Sequence, residues 1–115
     1  MTILQILKII FALGTIATGL LSMIWPRSVF SFTGLTAPGP RGITEIRAVL
    51  GGLFIGLGLA PFILKQSPVV LQTLGIMYLA IALVRLVSMI FDKSIVQSNI
   101  ISLVVEIIFG IILVL

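Results

Sequence analysis

Four long apolar runs, covering about residues 3–25, 43–64, 69–91 and 97–115, constrain the fold more than any other feature. A helix of about 20 residues, rising 1.5 Å per residue, crosses a hydrocarbon core about 30 Å thick. Because 60% of the residues are hydrophobic, 9% are charged and the mean hydropathy is +1.39, a soluble domain of 115 residues could not bury this apolar surface. We therefore predict an all-α fold, an integral membrane four-helix bundle that forms a single domain over residues 1–115.

The first run, from Ile3 to Trp25, has a competing interpretation as a cleaved signal peptide. A signal peptide has a shorter apolar core, basic residues before that core and a cleavage site of small residues after it. None of these features matches, and Lys8 inside the run can extend its long side chain to the nearer membrane surface. We predict a retained span, with Trp25 at the membrane interface and Pro26 ending the helix.

The only long connection covers residues 27–42 and contains two prolines close together, Pro38 and Pro40. Its first part, residues 28–32, alternates polar and apolar residues, as strands do. An unpaired strand edge is not tolerated in lipid, so we expect an interfacial segment there instead. The prolines and glycines that follow predict a turn that returns the chain to the membrane.

Loop charge predicts the orientation of the chain. Four spans place both termini on one side, which carries Lys8 and Lys65, whereas Arg27, Arg41 and Lys93 lie on the other side. Because positive residues favour the cytoplasm, the termini are expected on the non-cytoplasmic side. The membrane we expect is a bacterial inner membrane or a related energy-transducing membrane.

Four charged residues fall within the predicted spans, namely Glu45, Arg47, Arg85 and Glu106. An unpaired charge in a span costs at least about 2.5–3.5 kcal/mol, so pairing is strongly favoured. Arg85 and Glu106 lie roughly 9 Å and roughly 10–14 Å from the same membrane surface at 1.5 Å per residue. We expect these two to pair, with Glu45 joining them, while Arg47 points elsewhere, toward the surface or a partner protein.

This predicted charge cluster has two interpretations. A buried ion pair can fix the register of neighbouring helices without any further role. Alternatively, Glu45, Arg85 and Glu106 line a cavity that binds a ligand or relays protons, because intramembrane ionisable groups often mark functional sites.

Small residues predict where the helices pack. At 100° per residue, Glu45, Ala48, Gly52, Gly56 and Ala60 lie on one face of the second span. Glycine and alanine let neighbouring membrane helices approach closely. In the last span, Ser102 and Gly110 recur at four-residue spacing with Glu106. We predict that these faces form the helix contacts.

Composition excludes several kinds of chemistry. The chain contains no cysteine and no histidine, which removes disulfides, thiolate metal sites and imidazole catalysis. No phosphate-binding glycine loop or paired-aspartate motif is present. We therefore expect no catalytic residues, no metal and no cofactor. The net charge of +4 is spread over several loops, which fits lipid headgroups better than nucleic acid.

The second and third spans carry the strongest resemblance to a known family, through Glu45-Ile46-Arg47-Ala48, Gly51-Gly52, Gly56, Gly58 and Arg85-Leu86-Val87-Ser88. The chain resembles the small four-span bacterial membrane proteins grouped as domain of unknown function 4345. A broader similarity to four-span DoxX-like proteins is looser. Val84 stands where many members of the first family have glycine. The resemblance implies the four-span architecture but no activity.

Two functions of different classes remain open. The first is a non-catalytic accessory, assembly or stabilising subunit that contacts other membrane proteins or copies of itself. The second is a binder or carrier of a small lipophilic or ionic molecule, which would use the intramembrane charges. We do not expect an enzyme, because no positioned nucleophile is visible in the sequence.

Overall fold

The computed structural model describes residues 1–115 and contains helices, turns and no strand. Five α-helical segments follow in order, α1 Ile3–Ile24, α2 Phe30–Thr33, α3 Pro40–Ile63, α4 Pro68–Phe91 and α5 Gln97–Val114. All except α2 are long and apolar enough to cross a membrane. The all-α fold class predicted from the sequence is therefore confirmed.

Prolines begin two of the spanning helices earlier than the sequence analysis predicts. Pro40 and Pro68 are the first residues of α3 and α4, whereas the predicted starts are residues 43 and 69. The first N–H groups of a helix have no partner within that helix, so proline loses nothing there, and its fixed φ suits the first turn. The turn predicted around Pro40 therefore ends at Gly39, with an extended backbone.

The connection between α1 and α3 is partly helical. A 3₁₀ turn covers Pro26–Val29, and α2 follows directly. Gly34 ends α2 with a φ of 75°, a left-handed conformation that glycine adopts readily. The alternating pattern of residues 28–32 therefore does not form a strand, as expected for this segment.

The chain divides into two compact units. One contains residues 9–65, with most of α1, all of α2 and all of α3. The other contains residues 1–8 and 66–115, with the beginning of α1 and all of α4 and α5.

In the unit of residues 9–65, glycines bring the backbones of α1 and α3 together. A Cβ atom added at Gly19 would lie 2.7 Å from the carbonyl oxygen of Gly51. One added at Gly58 would lie 2.9 Å from the carbonyl oxygen of Ala12. Because real Cβ atoms do not approach backbone so closely, these glycines are required for the close helix contact.

Within α3, residues Ile46–Leu53 form a π-helix, with hydrogen bonds between residues five apart. The face of α3 buried in the structure follows this wider turn: Ile46 and Gly51, five residues apart, are both buried, and Gly58 and Pro61 continue the face. Glycine has low helix propensity, so the Gly51-Gly52 pair weakens the α-helical ladder where the π-helix occurs.

This geometry corrects the predicted packing face of the second span. Glu45, Ala48, Gly52 and Gly56 are exposed, and Ala60 is half-buried. A Cβ atom added at Gly56 would have no neighbour within 4 Å. Within the unit of residues 9–65, α3 therefore contacts α1 through Gly51 and Gly58 rather than through the predicted face, because a constant rotation of 100° per residue does not hold through a π-helix.

In the other unit, α4 and α5 pack closely. A Cβ atom added at Gly75 would lie 2.9 Å from the carbonyl oxygen of Gly110. The rings of Tyr78 and Phe109 meet edge to face, with centroids 5.3 Å apart, a favourable aromatic arrangement. Gly110 thus lies in a helix contact, and Ser102 is half-buried.

Replacing Gly58 with leucine should destabilise the protein, whereas Gly56→Leu should not. The new side chain at Gly58 meets the backbone of α1, which cannot move aside as a flexible side chain would. We expect a loss of about 1–3 kcal/mol, the usual range for overpacking. Unfolding of the purified variants with sodium dodecyl sulfate in mixed micelles would measure the difference. Equal destabilisation by the two substitutions would contradict the assigned packing face.

Candidate functional site

Arg85 of α4 and Glu106 of α5 form an ion pair between the two helices. The Nε atom of Arg85 donates to Oε1 and Oε2 of Glu106 at 2.9 Å each, and Nη2 donates to Oε1 at 2.6 Å. The Glu106 side chain is 10% exposed and that of Arg85 is 30% exposed. This side-on geometry gives three hydrogen bonds between charged groups, which are among the strongest hydrogen bonds in proteins.

Asn99 extends the pair toward the turn between α4 and α5. Its Oδ1 atom accepts a hydrogen bond from Nη1 of Arg85 at 3.0 Å, and its Nδ2 atom donates to the carbonyl oxygen of Ser94 at 2.8 Å. One connected network therefore links Glu106, Arg85, Asn99 and the backbone of the turn. We call these three side chains the Arg85 network.

The sequence analysis did not include Asn99 among the cluster residues, although a signal was present. Asn99 and Glu106 are seven residues apart, about two helical turns, so they lie on the same face of α5. A side chain that accepts hydrogen bonds, two turns from a buried carboxylate, is a natural second partner for an arginine on the facing helix.

An open groove lies beside Arg85. Its volume is about 510 Å³, and its lining residues are Ala80, Ile81, Val84, Arg85, Ser88 and Asn99. The Oγ atom of Ser88 donates to Oδ2 of Asp92 at 2.6 Å, so this hydroxyl is already paired at the end of α4. The groove therefore combines a polar end with an apolar end.

Glu45 and Arg47, the other two predicted cluster residues, have partners within residues 9–65. The carboxylate of Glu45 forms an ion pair with Arg41, one turn earlier in α3, and both side chains are more than half exposed. Glu45 thus has a local partner at i,i−4 in its own helix, an arrangement that helix geometry favours.

Arg47 is exposed and contacts the end of α1. Its Nη1 atom donates to the carbonyl oxygen of Met23 at 2.5 Å. Met23 lies in the last turn of α1, where carbonyl groups lack partners in the helix and a positive charge is favourable. The charge of Arg47 thus stabilises a helix end.

The chemistry available to the Arg85 network is hydrogen bonding and charge pairing. The guanidinium group can donate but not accept, and Glu106 already accepts three hydrogen bonds from it. No group of three or more histidine, cysteine, aspartate and glutamate side chains lies close enough to hold a metal ion.

Removing only one partner of the buried ion pair should be strongly destabilising. We expect Glu106→Ala to cost about 3–5 kcal/mol, because it leaves the Arg85 charge uncompensated. The double variant Arg85→Met/Glu106→Met should lose much less, since no charge is left unpaired. Glu45→Ala is the control, because exposed pairs contribute about 0–1 kcal/mol. Unfolding in mixed micelles would compare all three, and similar losses for Glu106→Ala and Glu45→Ala would contradict this role.

Comparison with known proteins identifies a family but gives no activity. The family model described as Domain of unknown function (DUF4345) matches residues 3–115, nearly the whole chain. No curated protein matches the chain, and no solved structure matches it. The four helices that can cross a membrane, together with this match, place the chain in a family: it belongs to the DUF4345 family of unknown function.

Proposed function

We propose that this small multi-pass membrane protein is a non-catalytic accessory, assembly or stabilising subunit of a larger membrane complex. The observation that carries the proposal is the outward face of α3. Ala48, Gly52 and Gly56 are exposed there, and the contacts of α3 with α1 use Gly51 and Gly58 instead. A helix of another membrane protein could approach this face closely, as small residues permit.

The large exposed surface of each span supports association within the membrane. Only 17% to 28% of the most apolar window of each span is buried within the protein. Most of the apolar helix surface is therefore left for lipid or for other membrane proteins. Short turns connect α3 to α4 and α4 to α5. Outside the membrane, contacts are therefore limited mainly to the longer connection between α1 and α3.

We also propose which membrane holds the protein and on which side its termini lie. Arg27, Arg41 and Lys93 outnumber the basic residues on the side of the termini by about one charge. In a bacterial inner membrane, the positive-inside rule then favours both termini on the non-cytoplasmic side.

A second candidate function is the binding or carriage of a small lipophilic molecule. The groove beside Arg85 favours it, because the groove places a guanidinium group next to an apolar surface. Ligand sites in proteins commonly combine mostly apolar walls with a few polar groups that fix orientation.

The accessory function predicts that the chain co-migrates with a larger complex. After gentle solubilisation of the native membrane, native-gel separation and mass spectrometry of the band should identify partner proteins. The variant Ala48→Leu/Gly56→Leu should reduce the fraction of the chain in that band by about tenfold or more, since bulky side chains prevent close helix approach.

Ala17→Leu is the matched control, because Ala17 is an exposed residue of α1, in the same unit as α3. This variant should co-migrate as the unaltered protein does. Migration of the unaltered protein alone, as a monomer or a dimer of itself, would contradict the accessory function.

A further inference from the structure

Arg85 has more hydrogen-bond donors than the Arg85 network uses. A guanidinium group carries five N–H bonds. Glu106 and Asn99 engage the N–H of Nε and one N–H on each of the two terminal nitrogens. One donor therefore remains on Nη1 and one on Nη2, on a side chain that lines the groove.

The position of these donors makes them costly to leave without acceptors. Arg85 lies six residues before Phe91, the last residue of α4, which corresponds to a depth of roughly 9 Å. Little water is available at that depth, and an unpaired polar group there costs free energy. An oxygen acceptor that enters the groove is accordingly favoured.

The lining of the groove changes from polar to apolar along the axis of α4. Ser88 and Asn99 lie at the end near the turn of residues 92–94, and Arg85 follows. Val84, Ile81 and Ala80 continue along α4 away from the turn. From Ser88 to Ala80 the helix rises roughly 12 Å. A molecule with polar oxygens at one end and a hydrocarbon chain at the other matches this order.

We propose that the groove binds a glycerophospholipid from the leaflet adjoining the turn of residues 92–94. Oxygens of its phosphate and ester groups accept hydrogen bonds from the remaining N–H groups of Arg85. Its acyl chain lies along Ala80, Ile81 and Val84. This proposal rests on the second candidate function, the binding of a lipophilic molecule, and identifies its ligand class.

The charge of the site determines which lipids are accepted. The positive charge of Arg85 is balanced by Glu106 at hydrogen-bond distance, so the pair has no net charge. The site therefore donates hydrogen bonds to a ligand oxygen but does not select a negatively charged ligand. A zwitterionic phospholipid meets both conditions. Arginine suits phosphate and carbonyl oxygens because its planar donors are fixed in direction.

Native mass spectrometry of the purified protein with added dioleoylphosphatidylcholine tests the proposal. Val84→Phe fills the groove and leaves both residues of the ion pair in place, at a position that is 68% exposed. We expect this variant to raise the apparent dissociation constant about tenfold or more. Val104→Phe is the matched control, since Val104 is 49% exposed on α5 outside the groove, and it should bind as the unaltered protein does.

Arg85→Met/Glu106→Met provides a second measurement, because it removes the donors without leaving an unpaired charge. We expect a loss of affinity similar to that of Val84→Phe, because the lipid oxygen no longer has a charged hydrogen-bond donor.

Equal affinity of Val84→Phe, Val104→Phe and the unaltered protein would overturn the assignment of the lipid to this groove. Retention of a different small molecule from the native membrane, lost in Val84→Phe, would overturn the lipid class but leave the binding function. Absence of any bound mass on the unaltered protein would overturn both.

Discussion

Hydrocarbon offers no hydrogen-bond partners. The polar groups within the spans of this protein therefore pair with one another. The backbone is satisfied by helices, which form the only regular structure in the chain. The hydroxyls of Thr15 and Ser22 bond to carbonyl oxygens one turn earlier in α1. Arg47 bonds to the end of α1, and every fully buried side-chain nitrogen or oxygen has a partner. The ion pair of Arg85 and Glu106 is the most demanding case.

Close backbone approach is the second determinant of the helix contacts. Lipid removes most of the hydrophobic drive between helices, so packing depends on how near the backbones can come. Gly19, Gly51 and Gly58 allow this approach in the unit of residues 9–65, and Gly75 with Gly110 allows it between α4 and α5. Because these glycines form the contacts within each unit, Ala48, Gly52 and Gly56 of α3 stay exposed.

The two proposed functions use different surfaces of the molecule. Association with another membrane protein uses the exposed face of α3, whereas lipid binding uses the groove between the apolar residues of α4 and the Arg85 network. The ion pair of Arg85 and Glu106 joins α4 to α5 and also lies beside the groove. In the proposed lipid binding, the donors that Arg85 retains after this pairing contact the ligand, so no further charge has to be buried.

The amino-acid sequence by itself determined the four spans, the all-α class and the pairing of Arg85 with Glu106, because span length and the cost of an unpaired charge in hydrocarbon leave few alternatives. Only the tertiary structure decided which small residues face which helix. The π-helix of residues Ile46–Leu53 changes the rotation per residue, so Gly51 and Gly58 are buried while Gly52 and Gly56 are exposed. The tertiary structure also made Asn99 a partner of Arg85 and Arg41 a partner of Glu45, because the nearest available partner depends on contacts that periodicity alone does not specify.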